Sequence, residues 1–274
     1  MRDIYRTAKR ILFLSAAAVM CLLCSCSRAV TTEKRLREEG ISLMTEKQNY
    51  RAAIAKFDEA LSMNEGKVRD LEIDILRYRA ECEALMGDYE ASAYTYSLLL
   101  RVDEEKPEYM NLRAAGLAKA GKELDEALDL YLKAEEADKN SAAHLEALYA
   151  LGTAFARSGD EDRTKAAREL YENALGDEEL KSGELYNRMG MFCFDDQDYE
   201  KALKYFEMGS RYVKQQEGTE EDGVLRSLSF NYAVCCEYMH DYKKAYEAFR
   251  DFVKEYGTND IIEHEMAFLE TRIR

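Results

Sequence analysis

Few of the reactive side chains in this chain stand at spacings that do chemistry. The three histidines, His144, His240 and His264, are scattered. No H-E-x-x-H places two imidazoles on one helix face for a zinc ion; His264-Glu265 lacks the second histidine. A glycine-rich phosphate loop and a G-x-S-x-G elbow are missing as well. Asp195, Asp196 and Asp198 have the look of a calcium loop, which needs glycine at its sixth position and glutamate at its twelfth. Counted from Asp196 those positions hold Lys201 and Glu207, so the glycine is absent. The acidic triplet therefore reads as a solvated turn with an N-capping aspartate. Asp103-Glu104-Glu105 and Glu220-Glu221-Asp222 read as solvated loops. The expectation is a chain that is not an enzyme, with no metal and no cofactor.

The seven cysteines divide into two groups. Cys82, Cys193, Cys235 and Cys236 fall inside helical patterns. Adjacent residues such as Cys235 and Cys236 point to different sides of a helix, and zinc sites prefer looser spacings. These four read as small buried apolar residues. Cys21, Cys24 and Cys26 lie instead in an N-terminal segment of another character. Arg2, Arg6, Lys9 and Arg10 precede an apolar stretch of 13 residues, Ile11 to Leu23. That is too short to span a bilayer as a helix and suits the apolar region of a secretory signal.

Leu23-Cys24-Ser25-Cys26 resembles a bacterial lipobox, with leucine three places before the cysteine and a small residue just before it. Only Cys26 meets both conditions. The resemblance implies cleavage after residue 25 and covalent diacylglycerol and acyl chains (palmitate-type) on Cys26. Two or more chains anchor stably where one is marginal. It further implies an exported protein, lipid-anchored to a bacterial membrane and facing the periplasm or the cell exterior. Residues 1–25 are then signal peptide and 26–33 the lipidated N-terminus and tether.

The composition limits partners. Loss of residues 1–25 removes four basic residues and one acid, moving the formal charge from −15 to −18. A field of that sign repels nucleic acid and favours partners with basic surfaces. With 47% apolar residues at periodic positions, the chain is not intrinsically disordered.

What positions these residues is a recurrent pattern. Six times an aromatic follows a small residue by four places. The cases are Ala53–Phe57–Ala60, Ser92–Tyr96–Leu99, Ala127–Tyr131–Ala134, Ala167–Tyr171–Ala174, Ala202–Phe206–Gly209 and Ala245–Phe249–Phe252. The leading residues recur every 35 to 43 positions, near the period of a helix-turn-helix repeat. On a helix, residues four apart share a face, and a small side chain lets two backbones approach closely.

Over residues 34–256 the pattern resembles the tetratricopeptide repeat (TPR) family. The fifth repeat carries it best: Tyr186, Met189, Gly190 and Cys193, then the turn Asp195–Asp198, then Ala202, Phe206 and Gly209. The fourth has Leu148, Leu151, Gly152 and Phe155, with three extra residues read as a longer turn before Ala167. The resemblance implies an all-α fold, a right-handed superhelix (α-solenoid) of about six helix-turn-helix repeats. Residues 214–224 read as a loop extension. Residues 257–274 read as a capping helix whose apolar face is taken to run through Ile261, Ile262, Glu265, Met266 and Leu269, since such stacks need their ends covered. The single proline, Pro107, departs from the family's habit of a proline between repeats.

In this family the first helix of each repeat lines an inner groove. Carried onto this chain, those places hold Tyr149, Thr153 and Arg157, then Asn187, Met191 and Phe194, then Phe230, Val234 and Tyr238. Aromatics and a methionine in a groove suit an extended peptide or an amphipathic helix. The functional expectation is a membrane-anchored, non-catalytic interaction scaffold or adaptor of a bacterial envelope, with envelope proteins as partners. The alternative is a lipoprotein whose aromatic groove binds a glycan or another small ligand.

Overall fold

The computed structural model describes residues 31–63, 66, 68–216 and 222–273, and these form helices, turns and short links with no strand among them. Cys26, the signal segment and most of the tether lie outside the described residues. The helices run in pairs. α1 covers 31–45 and α2 Tyr50–Ser62; α3 is Asp70–Leu85 and α4 Tyr89–Val102; α5 is Pro107–Ala120 and α6 Leu124–Glu135. Then come α7 (Ala142–Ala156) and α8 (Glu161–Gly176), α9 (Gly183–Asp195) and α10 (Tyr199–Gln215), α11 (Asp222–Tyr238) and α12 (Tyr242–Tyr256), and last α13 (Asp260–Ile273). The chain divides into two compact units whose boundary, Ala150/Leu151, falls inside α7.

Each small–aromatic motif sits on the second helix of a pair, and the aromatic fills the space that a small residue on the first helix leaves. A methyl group added at Gly40 would stand 2.4 Å from the Phe57 ring. At Gly152 it would stand 2.2 Å from Tyr171, and at Gly190 2.3 Å from Phe206. Phe57 and Phe206 are completely buried and Tyr171 is nearly so. Gly209, the last small residue of the fifth motif, packs against Tyr186 on one side and Leu228 of the next helix pair on the other. The motif thus sets both the spacing inside a pair and the spacing to the next.

The turns repeat as closely as the crossings. Gln48, Gly87, Gly159, Gln197 and His240 all have positive φ, and each is followed by an asparagine or aspartate that caps the second helix. Asn49, Asp88, Asp160, Asp198 and Asp241 accept from the backbone N–H three residues on, at 3.0–3.2 Å. Asp198 is thus the N-cap expected of the acidic triplet. Gln48, Gln197 and His240 hold a left-handed conformation that glycine adopts without steric cost. His240→Gly is expected to stabilise the second unit by about 0.5 kcal/mol, the strain relieved outweighing the entropy that glycine adds to the unfolded chain. Urea unfolding checks it; a lower midpoint would contradict the assignment of strain to this turn.

Three expectations are corrected. The extra residues before Ala167 extend helix α8 rather than its turn. Asp160 caps at Arg163, the first turn is acidic, and no breaker intervenes before Ala167. The 214–224 extension is shorter than expected: Lys214 and Gln215 finish α10, and residues 222–224 begin α11 even though Gly223 is a weak helix former. On α13 the packed face is Ile262, Met266 and Leu269, against α12 and the second unit's core. Ile261 is 73% exposed, about 100° around the helix from its neighbour.

Cys82, Cys193, Cys235 and Cys236 are free and buried, as expected. Burial pushes the thiols of Cys82, Cys235 and Cys236 up to about 11, which suppresses the reactive thiolate at neutral pH. His144, scattered in the sequence, is fully buried beside Tyr131, its ring stacked at 4.6 Å and Nε2 3.1 Å from the phenol oxygen. Burial lowers its pKa, so it is a neutral core residue.

Candidate functional site

The two first helices of the second unit that pack on each other, α9 and α11, bring part of the expected groove together. Phe194 closes the C-terminal end of α9. Its ring meets Tyr238, at the end of α11, edge-on at 4.8 Å, and Tyr199, at the start of α10, at 5.3 Å. Tyr199 and Tyr238 complete the triangle at 5.7 Å. Edge-to-face rings at these distances gain from their quadrupoles beyond simple burial. Tyr238 nevertheless stays 52% exposed and Met191, one turn before Phe194, 37% exposed. Asn231 donates from Nδ2 to Oδ1 of Asn187 at 2.8 Å and ties the two helices on the same side.

The other expected positions lie as follows. Phe230 directs its ring at Phe249 and Phe252 of α12, both at 5.8 Å, and belongs to the packing of its own pair. Val234 packs half-buried against the same core. On α7, Tyr149 is half-buried and Arg157 is exposed just past the helix end. The Thr153 hydroxyl accepts from Arg188 Nη1 at 2.6 Å. Arg188 also pairs with Glu184 at 2.7 Å and lies over the Tyr171 ring at 5.9 Å. It is a positioned cation that the family places did not mark, because its role depends on α7, α8 and α9 together.

The sequence reading took Asp195 only as part of a solvated turn and did not mark Glu237. Burial raises the pKa of Asp195, at the end of α9, with Asp196 adding to the effect. Glu237, next to Tyr238, is raised from 4.5 to about 7 by burial and by a hydrogen bond with Glu265 of α13. Two carboxyls in contact cannot both ionise freely. A raised folded-state pKa means that the stabilising protonated form is complete below pH 4.5 and is lost as pH rises through about 7. Glu237→Gln is therefore expected to raise the melting temperature at pH 8 and to leave it unchanged at pH 4.5. Scanning calorimetry at the two pH values checks this; equal shifts at both would contradict the shared proton.

Among the described residues no three His, Cys, Asp or Glu side chains converge as metal ligands, and no helix is long and apolar enough to cross a membrane.

The array of paired helices is the tetratricopeptide-repeat fold. It is shared with the crystal structure of PilW, described as a widely conserved type IV pilus biogenesis factor, at a TM-score of 0.60 and 14% identity over 86% of this chain and 97% of that one. The apo quorum sensor NprR from B. thuringiensis matches at 0.60 and 11% identity, covering 86% of this chain and 68% of the other. Pseudomonas aeruginosa pilF matches at 0.54 and 14%, covering 89% and 98%. No protein-family sequence model matches the chain, and no curated protein sequence does.

Proposed function

We propose that this protein is a lipid-anchored, non-catalytic interaction module of a bacterial envelope, which captures a peptide or helix of an envelope protein on the α9–α11 face. The observation that carries the reading is the Phe194–Tyr199–Tyr238 triangle. Its rings are locked against one another, yet more than half of Tyr238 remains open to solvent beside Met191. Rigid aromatics with one open face bind at low entropic cost. The chain's formal charge of −15 would favour a partner with a basic surface. PilW, a type IV pilus biogenesis factor of the same fold, makes an envelope machine a sensible place to look. The anchor rests on Leu23-Cys24-Ser25-Cys26.

Cys26→Ser removes the acylated thiol, and the expected result is an uncleaved precursor that takes up no radiolabelled palmitate. Palmitate incorporation into the variant would contradict the anchor. The binding face is tested by Tyr238→Ala with Met191→Ser, both at exposed positions. The expected result is loss of the partner at unchanged helicity; full retention would move the binding surface elsewhere.

A further inference from the structure

A second surface of the second unit, away from that face, has a different chemistry. Stripes on α10 and α12 face each other across α11 and enclose a cleft of about 470 Å³. The α10 stripe presents Arg211 and Lys214, one turn apart, with Glu207 a turn earlier. The α12 stripe presents Asp251 and Glu255. Between them the floor is Tyr232 and Phe252; Phe252 is packed below by Phe230, and the Arg226 guanidinium lies 5.9 Å from its ring centre.

Apart from Glu207 on the α10 side, the charges are segregated by wall, and they are not joined across the cleft. Neither Arg211 nor Lys214 forms an ion pair among the described residues, and Asp251 takes only its exposed neighbour Arg250, at 3.3 Å. Oppositely charged walls that do not touch hold a field across the gap, which a ligand with both charges would fill. A simple anion would meet the acidic wall, and a simple cation the basic one. A peptide residue spans about 3.3–3.6 Å, so two or three residues separate their terminal charges by about 7–10 Å. α10 and α12 each pack on α11, which lies between them. The volume is within the range of small-ligand sites.

We propose that this cleft binds a short free peptide of two or three residues in its zwitterionic form. Its terminal carboxylate pairs with Arg211 and Lys214, its terminal ammonium with Asp251 and Glu255, and an apolar or aromatic side chain lies against the half-buried Tyr232. The site is independent of the α9–α11 face.

The test is calorimetric titration of the full-length chain in detergent with alanyl-phenylalanine, its N-acetyl derivative and its C-terminal amide. The free dipeptide is expected to bind saturably at millimolar concentration. Each blocked form should bind at least roughly tenfold more weakly, the worth of a lost charge-assisted contact. The variants carry a sharper signature. Arg211→Gln with Lys214→Gln should no longer distinguish the free dipeptide from its amide. Asp251→Asn with Glu255→Gln should no longer distinguish it from the acetylated form. All four positions are exposed, so helicity should be unchanged. Tyr238→Ala should leave binding intact. Absence of saturable binding, discrimination that survives both double substitutions, or loss of binding in Tyr238→Ala would each overturn the proposal.

Discussion

Replacing Arg79 by methionine is expected to destabilise the first unit by about 3 kcal/mol at pH 8, the cost of leaving a buried charge without its partner. Arg79, on α3, links three helices. It donates from Nε to Asp58 of α2 at 2.8 Å, pairs through Nη1 with Glu83 one turn on at 2.8 Å, and donates to the Thr95 hydroxyl of α4. Thr95 in turn donates to Glu83 at 2.7 Å. Glu83 is 3% exposed and Thr95 fully buried. Burial raises the Glu83 pKa above 4.5 even though Arg79 and Thr95 pull it down. Without Arg79 the carboxylate can relieve its position only by taking up a proton, so the loss should shrink as pH falls toward 5. Arg79→Met with Glu83→Gln should recover more than half of the loss at pH 8. Urea unfolding followed by circular dichroism measures all three variants. A loss independent of pH, or no recovery in the double substitution, would show that Arg79 acts through packing alone.

Phe206→Ala is expected to cost about 3–5 kcal/mol, the range for a fully buried aromatic that leaves a cavity. The ring stands where a methyl on Gly190 would need to be, and it is 0% exposed. The same geometry predicts coupling. Gly190→Ala alone should destabilise by about 1–3 kcal/mol through overpacking. Combined with Phe206→Leu, which lacks the ring edge that the methyl would strike, it should cost less than the sum of the two single changes. A double-mutant cycle reads this directly. Additive costs would mean that the helices of the pair are not spaced by this contact.

Much of this was legible in the sequence, because one physical rule repeats. The small residues Gly152 and Gly190 and the aromatics Phe57, Tyr171 and Phe206 are local signals, and the helix-pair repeat sets each aromatic against the small residue of the helix before it. The caps were legible where an aspartate follows a turn. What escaped depends on the neighbour across space. The residues before Ala167 could extend a turn or a helix by periodicity; the cap at Asp160 decided for the helix. Phe230 occupies a groove position in the repeat, yet a phenylalanine at 252, where the repeat usually has a small residue, turns its ring into the packing. Arg188 and Glu237 gain their properties from Thr153 and Glu265, which are 35 and 28 residues away in the chain. No spacing rule within one helix marks such pairs. The Arg79–Glu83–Thr95 network was hidden for the same reason.

The central claim is that the α9–α11 face, with Tyr238 at its open edge, is where a partner binds. Site-specific photocrosslinking in intact cells of the native host tests it most directly. A photoreactive phenylalanine replaces Tyr238 in the full-length chain, and a second version carries it at Met208, also an exposed position, on α10. The expected result is a discrete protein adduct from position 238 that is absent from position 208 and is lost with Met191→Ser. Adducts of equal yield from both positions, or none from 238, would contradict it.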